Sequence, residues 1–364
     1  MKIFALLFLL LPIGGCAYVG WHVWRLLPFS PVLKSLVLAF MLLSFSLLFV
    51  YFFVGLDRLP MGVARVAYAL GTSSLFVLLY LTMLFLLLDA GHLLHLVPSG
   101  FLRSSWAGTL TVLGVMLSVF TYGYLHYHHK YCERIELKSA KPMTQRVKVL
   151  LMSDMHLGYP NTRKNLAKWV DNINAEQPDM VLIAGDIVDN SVRPLNEEGM
   201  AAEFRRIKAP VYACLGNHDY YAGEPASEQF YKDSGITLLR DSSVVAPGDI
   251  LVMGRDDRTN RNRKSLKAMA DEALMWNRFT ILLDHQPYHL EESEQLGVDF
   301  QFSGHTHYGQ MWPISWITDL LYECAYGHHQ RGRTRYYVSS GIGIWGGKFR
   351  VGTRSEYVVA TIGN

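Results

Sequence analysis

The sequence predicts two joined parts, an N-terminal α-helical transmembrane bundle of four spans and an α/β domain. Three observations predict this. Four apolar runs precede residue 128, each near the ~20 residues that a helix needs to cross the hydrocarbon layer. After residue 147, short β-type apolar runs alternate with helix-period patterns, as in an α/β domain. Several of those short runs end in turns carrying Asp, Asn and His, where open α/β sheets place ligands. The expected boundaries are 1–128 for the membrane part, 129–146 for a polar, basic linker and 147–364 for the α/β part.

Composition agrees with this division. The 364 residues are 50% hydrophobic and only 18% charged, which fits a chain partly in lipid. The formal net charge of +3 is too small to imply nucleic acid, and no basic block is interleaved with aromatics in the second half, so nucleic acid is not an expected partner. Cys16, Cys132, Cys214 and Cys324 lack metal or redox spacing and read as free thiols of a reducing compartment.

The four apolar runs are Phe4–Val23, Ser35–Val54, Val66–Leu88 and Trp106–Leu125. Trp21, Trp24, Trp106, Tyr124 and Tyr127 stand at run ends, where amphipathic rings settle at the interface. With four crossings, Lys2, Arg58, Arg65, Lys130, Arg134, Lys138, Lys141 and Arg146 share one side. Arg25, Lys34 and Arg103 take the other, and the excess of basic residues places the α/β half in the cytoplasm. Ile13-Gly14-Gly15-Cys16 reads either as a small-residue packing patch or as a lipoprotein cleavage site, so lipidation of Cys16 stays open. Asp89, His92 and His95 read as interfacial, and His126, His128 and His129 as a polar collar, with metal binding as the alternative.

In the α/β half, Val147–Met152 is a strand, and the stripe Leu166, Trp169, Val170, Ile173 marks a helix that ends before Pro178. Met180–Ala184, Val211–Leu215, Leu251–Gly254, Phe279–Leu283 and Phe300–Ser303 read as strands, with Tyr336–Ser340 and Tyr357–Ile362 closing the sheets. Glu197–Ile207 and Ser265–Met275 read as helices.

Four turns carry the chemistry: Ser153-Asp154-Met155-His156-Leu157-Gly158, Gly185-Asp186-Ile187-Val188-Asp189, Gly216-Asn217-His218-Asp219 and Gly304-His305-Thr306-His307. Asp284-His285-Gln286-Pro287 lies between the last two. Two divalent cations about 3.5–4 Å apart can clamp both oxygens of a phosphoryl displacement. At that separation they repel by roughly 19 kcal/mol at an effective dielectric near 20, so a shared carboxylate must offset the repulsion. Asp186, behind a glycine that lets the backbone come close, is the candidate for that carboxylate. Imidazoles and an amide oxygen suit Mn, Fe or Zn better than Ca or Mg.

With those residues in place, 147–364 resembles the calcineurin-like metallophosphoesterases, and more narrowly a bacterial membrane-anchored branch with a Gly-His-Thr-His-x-Gly-Gln motif. Here the motif reads Gly304-His305-Thr306-His307-Tyr308-Gly309-Gln310, and Tyr337-Val338-Ser339-Ser340-Gly341-Ile342-Gly343 is also similar to that branch. The resemblance implies a two-sheet αββα sandwich holding two divalent metal ions, Mn foremost with Fe or Zn as alternatives. It implies Asp154, His156 and His307 on one metal, Asp186 as the bridge, and Asn217, His285 and His305 on the other. His218 would be the catalytic residue, protonating the leaving oxygen, with Asp219 orienting its ring. The implied reaction is hydrolysis of a phosphoester or pyrophosphate bond by a metal-bridging hydroxide, at a bacterial inner membrane. Tyr308 replaces a common glycine, and a proline often found near Gly346–Arg350 is missing. Lys348, Arg350 or Arg354 either reach a phosphate or form a solvated surface.

Substrate is the least constrained reading. Met311-Trp312-Pro313-Ile314-Ser315-Trp316-Ile317, running on to Leu320-Leu321-Tyr322, either packs on the domain's own core or forms a lid that meets the bilayer or an acyl chain. His328, His329, Arg331 and Arg333 either grip phosphates or form a plain basic loop. A membrane lipid partner and a lipid-linked phosphoester or pyrophosphate lead. A soluble cyclic nucleotide or nucleotide, and a membrane scaffold or sensor that binds without turnover, are the alternatives.

Overall fold

In the computed structural model, which describes residues 2–363, the chain divides into two compact units. One spans Met1–Leu125 with Gly346–Lys348, the other His126–Trp345 with Phe349–Asn364. The first unit is helical, with helices Lys2–Leu26, Pro31–Phe49, Met61–Leu93 and Trp106–His128. Ser30 caps the second, and Pro31 takes its first position, where a missing N–H costs nothing. Among the described residues, three helical stretches are long and apolar enough to cross a membrane: Pro31–Val54, Met61–Leu93 and Trp106–His128. Three thus stand where four are expected. The side chains of residues 2–11, in the first apolar run, lie outside the described residues.

Packing in this unit uses small residues. A Cβ on Gly71 would stand 2.8 Å from the Leu48 nitrogen, so two helix backbones touch there and only glycine fits. Asp89 is more than an interfacial charge: its Oδ2 accepts from the Tyr18 hydroxyl at 2.6 Å and lies 3.0 Å from His22 Nε2. His92 Nδ1 meets the Val97 carbonyl at 2.8 Å.

The second unit contains twelve strands among the described residues. In chain order they are β1 (Lys130–Lys138), β2 (Val147–Met152), β3 (Met180–Ala184), β4 (Val211–Cys214), β5 (Thr237–Leu238) and β6 (Ser242–Ala246). They continue with β7 (Ile250–Gly254), β8 (Thr280–Leu283), β9 (Phe300–Ser303), β10 (Gly327–Arg331), β11 (Thr334–Val338) and β12 (Ser355–Gly363). One sheet has the order β1-β12-β2-β3-β4-β5, the other β10-β11-β9-β8-β7-β6. Val149, Leu151, Leu182, Val252, Ile281 and Phe302 meet between the sheets. The outer face of the first sheet, through Leu150, Met152, Val181 and Ile183, packs on Leu166, Trp169, Val170 and Ile173 of helix Arg163–Glu176. Leu251, Met253 and Leu282 of the second sheet pack on Leu266, Met269 and Met275. Helices therefore cover both outer faces, the expected αββα sandwich.

Half of the stretch expected as a linker is strand. Lys130–Lys138 is β1, parallel to β12 from Lys130↔Ser355 to Lys138↔Gly363. Ile135 and Leu137 are buried while Arg134, Glu136 and Lys138 are exposed, so a period-two edge strand looked merely polar and basic. Glu197–Ile207 is two short helices, Arg193–Glu197 and Met200–Phe204, parted at Gly199, whose φ is +63°. Ser265–Met275 likewise splits into Leu266–Met269 and Glu272–Asn277. His328, His329 and Arg331 lie on β10, antiparallel to β11, instead of in a loop.

Candidate metal centre

The turns after β2, β3, β4, β8 and β9 bring the seven expected ligands together. Parallel pairing of β2, β3 and β4 aligns their C-terminal ends, and β8 pairs with β9 in the same way in the other sheet. His285 links the sheets, its Nδ1 donating to the Ala184 carbonyl at 2.8 Å. Glycines permit the close approach: a Cβ on Gly216 would sit 2.2 Å from Asp186 Oδ1, and one on Gly304 2.3 Å from Asp154 Oδ2. Asp154, His156, Asp186, His305 and His307 all have positive φ, so five of the seven adopt a backbone that non-glycine residues avoid. Such strain gathers at functional sites, where surrounding structure over-determines it.

Two groups form. In the first, His156 Nε2 lies 3.1 Å from His307 Nε2, and Asp154 Oδ1 is 3.9 Å from the former and 3.6 Å from the latter. His156 Nδ1 is held by Asp189 Oδ1 at 3.1 Å, which puts its proton there and a lone pair on Nε2. In the second, His285 Nε2 lies 3.1 Å from Asp186 Oδ2 and 3.2 Å from Asn217 Oδ1, and His305 Nδ1 lies 2.8 Å from the same amide oxygen. Asp186 Oδ2 is also 3.7 Å from His156 Nε2, so one carboxylate oxygen faces both groups.

This donor set fits cations. Lone pairs and carboxylate oxygens converge, yet no Lys or Arg forms an ion pair with Asp154 or Asp186 among the described residues. His307 Nδ1 is buried without a hydrogen-bond partner. Burial pushes His307 down to about 3 and His305 down to about 4, leaving both rings neutral and able to ligate. Asp154, His156 and His307 bring ligand atoms within 4.8 Å of one another, as do Asp154, Asp186 and His285.

His218 stands beside these groups. Its backbone N–H donates to Asp186 Oδ1 at 2.8 Å, and its ring centroid is 4.5 Å from that of His156. Its carboxylate neighbour is not Asp219. Nδ1 lies 3.2 Å from the Asp189 carbonyl oxygen and 3.4 Å from Asp189 Oδ1. Asp219 instead accepts the backbone N–H groups of Gly216 at 2.8 Å, Asp186 at 2.9 Å and Val188 at 3.0 Å. Burial opposes a charge on His218, but Asp186 and Asp189 outweigh it and raise its pKa.

Residues 147–309 match the family profile described as calcineurin-like phosphoesterase. That stretch is similar to a calcineurin-like phosphoesterase domain. An uncharacterized metallophosphoesterase of Helicobacter pylori is 32% identical over 219 residues, 59% of this chain and 59% of the relative. This chain thus spans less than two thirds of that relative's length. A transmembrane protein with metallophosphoesterase domain from Danio rerio is 30% identical over 225 residues, covering 58% of this chain and 52% of the relative. Among solved structures, a dimetal phosphatase from Danio rerio aligns with a TM-score of 0.34 and 13% identity, covering 53% of this chain and 86% of that one.

The second unit also uses residues whose roles sequence reasoning missed. Asn161, fully buried, donates to the Met155 carbonyl at 2.9 Å and the His156 carbonyl at 3.1 Å, bracing the first turn. Arg350 is neither solvated nor aimed at a phosphate. It is fully buried, and its guanidinium donates to the carbonyls of His307 at 3.0 Å, Ser340 at 2.5 Å, Gly341 at 3.2 Å and Gly343 at 2.9 Å. Arg354 is tied up with Glu356 at 3.0 Å and Glu133 at 2.7 Å. Beside His305 rises a ladder of rings. Tyr322 is 6.2 Å away by centroid, Tyr288 is 4.7 Å beyond it, and the exposed Arg258 guanidinium lies 4.1 Å over Tyr288. Tyr308 stacks on Tyr326 at 5.0 Å, and both line a cavity of about 460 Å³ with His126, Tyr131 and Arg354.

Proposed function

We propose that this chain is a membrane-anchored, dinuclear-metal phosphoesterase that hydrolyses a phosphoester or pyrophosphate bond on a lipid-linked substrate. The supporting observation is the meeting of His156 Nε2 and His307 Nε2 at 3.1 Å beside two carboxylates with which no Lys or Arg pairs among the described residues. On this reading Asp154, His156 and His307 would hold one divalent ion, Asn217, His285 and His305 would hold the other, and Asp186 would serve both. Mn suits this mixture of imidazole, amide and carboxylate, with Fe or Zn as alternatives. Bound there, two divalent ions would supply Lewis-acid stabilisation of the phosphoryl group and an acidified water.

The chain's own side chains do the rest. His218, held through Nδ1 at Asp189, presents Nε2 as the proton donor to the leaving oxygen. Against the opposing effect of burial, the Asp186 and Asp189 carboxylates raise its pKa, which favours the protonated ring. Asp189 also fixes the tautomer of His156, coupling the acid to a ligand through one carboxylate. Three apolar stretches long enough to span a bilayer support membrane attachment, and the excess of basic residues on the side of Lys2, Arg58, Arg65 and Lys130–Arg146 over that of Arg25, Lys34 and Arg103 supports a cytoplasmic placement of the α/β domain.

The test uses full-length protein in mixed micelles with Mn. Turnover of lipid-linked pyrophosphates exceeding that of nucleotides and cyclic nucleotides, and lost in Asp186→Ala and His218→Ala, supports the proposal. Metal binding without turnover of any ester would make the chain a scaffold. Faster turnover of soluble nucleotides would reassign the substrate.

A further inference from the structure

The helix Ile314–Leu321 is inside out. Its buried residues are Ser315 and Thr318. Its exposed residues include Trp316 at 61%, Ile317 at 55%, Leu320 at 87% and Leu321 at 63%, with Trp312 just before it. A surface helix of a soluble domain turns its apolar stripe to the core. Here the hydroxyls face inward, satisfied locally (Thr318 Oγ1 donates to the Ser315 carbonyl at 2.8 Å), and the large apolar side chains face out. Of the segment Met311–Tyr322, Met311 packs inside the domain, whereas Trp316, Ile317, Leu320 and Leu321 do not.

Both ends of the helix are fixed to the candidate metal centre. At its start, a Cβ on Gly309 would be 2.4 Å from the Ser315 nitrogen, so the helix sits directly on the turn that carries His307. The Tyr308 hydroxyl reaches Asp319 Oδ2 on the helix at 3.3 Å. At its end comes Tyr322, whose ring faces His305.

We infer that the outer face of Ile314–Leu321 inserts into the lipid interface and so sets the rim of the centre against the bilayer, where a lipid-linked ester is taken without leaving the membrane. The occupant is argued from chain continuity. Only His129 separates the end of helix Trp106–His128, a candidate span, from the first residue of β1. A domain tethered so closely meets its bilayer at a far higher effective concentration than any soluble partner. A short amphipathic helix with Trp, Ile and Leu on one face is suited to the headgroup and acyl boundary. Membrane attachment and the kinetic consequence rest on the function proposed above; the depth of the helix is measured without turnover.

The test is nitroxide accessibility in the full chain reconstituted in phosphatidylethanolamine and phosphatidylglycerol vesicles. A label at Leu320→Cys is compared with one at exposed Arg333→Cys, in a Cys16→Ser, Cys132→Ser background, since Cys214 and Cys324 are buried. The Leu320 label should be reached by oxygen and protected from a water-soluble nickel chelate, and the Arg333 label should show the reverse. Equal exposure of both labels to the chelate overturns the inference, as does a Leu320 label shielded from both reagents, which would mean that protein covers the helix. In the paired variant Leu320→Glu with Leu321→Glu, KM for a lipid phosphoester in vesicles should rise by about tenfold, with hydrolysis of bis-p-nitrophenyl phosphate unchanged. Equal loss on both esters, or loss on neither, contradicts it. If the unaltered protein hydrolyses no ester at all, the proposed function fails, while the labels still decide where the helix lies.

Discussion

Arg350 offers a measurable link between the fold and the candidate centre. Replacing it with Met keeps the apolar stem and removes every donor. Four carbonyls then lose a donor: His307 keeps the Gln310 N–H and Gly341 the Glu356 N–H, while the buried carbonyls of Ser340 and Gly343 are left with no other hydrogen bond among those described. At ~1.5 kcal/mol for each of the two orphaned acceptors and ~0.5 kcal/mol for each of the two carbonyls that keep another donor, the loss is about 4 kcal/mol. Relief from desolvating a guanidinium, whose pKa burial brings down to about 10, offsets part of this. A net loss of about 3 kcal/mol remains, at the lower edge of what removing one partner of a buried charged contact costs. For a domain of this size that corresponds to a fall in Tm of roughly 6–12 °C. A thiol-reactive dye reports the unfolding directly, because Cys214 is buried. Arg350→Lys should be nearly as damaging, since one ammonium cannot span carbonyls that a planar fork reaches. A shift below about 2 °C for Arg350→Met, or a fully stable Arg350→Lys, would refute the reasoning.

Other outcomes follow from the same contacts. Asp189→Asn should lower kcat on bis-p-nitrophenyl phosphate by ~10²-fold or more, because it loosens both His156 and His218; an unchanged kcat contradicts the pairing. Asp219→Ala should behave chiefly as a folding defect of about 3 kcal/mol, leaving three backbone N–H groups without an acceptor, and chemical denaturation measures it. Gly304→Ala should abolish metal binding, read by calorimetry, since its Cβ would fall 2.3 Å from Asp154 Oδ2. Arg258→Ala should raise KM for a pyrophosphate ester with kcat kept, because the guanidinium stands at the outer end of the tyrosine ladder. A change confined to kcat would place Arg258 elsewhere in the reaction.

The turns that carry the candidate ligands were legible because each closes a short apolar run, and parallel pairing brings the ends of those runs together. The partner of His218 was not legible. Asp219 is adjacent in sequence, but neighbours on a helix point to different faces, and its carboxylate turns to the backbone of the preceding loops. Asp189 carried a faint signal: it lies three residues past Asp186 on the same turn, and it is buried. β1 was missed because alternation at a sheet edge mixes charged residues with Ile135 and Leu137, which resembles a linker when counted as composition. Arg350 was misread because a buried guanidinium serving carbonyls has no local pattern; its partners lie 7 to 43 residues away.

The central claim is tested most directly by counting and locating metal. Full-length protein loaded with Mn should contain two ions per chain, and anomalous diffraction should place them between Asp154, His156 and His307 on one side and Asn217, His285 and His305 on the other, with Asp186 touching both. Asp186→Ala should lose at least one ion together with hydrolysis of bis-p-nitrophenyl phosphate. Two ions retained in Asp186→Ala, or anomalous peaks away from these seven residues, would contradict the account.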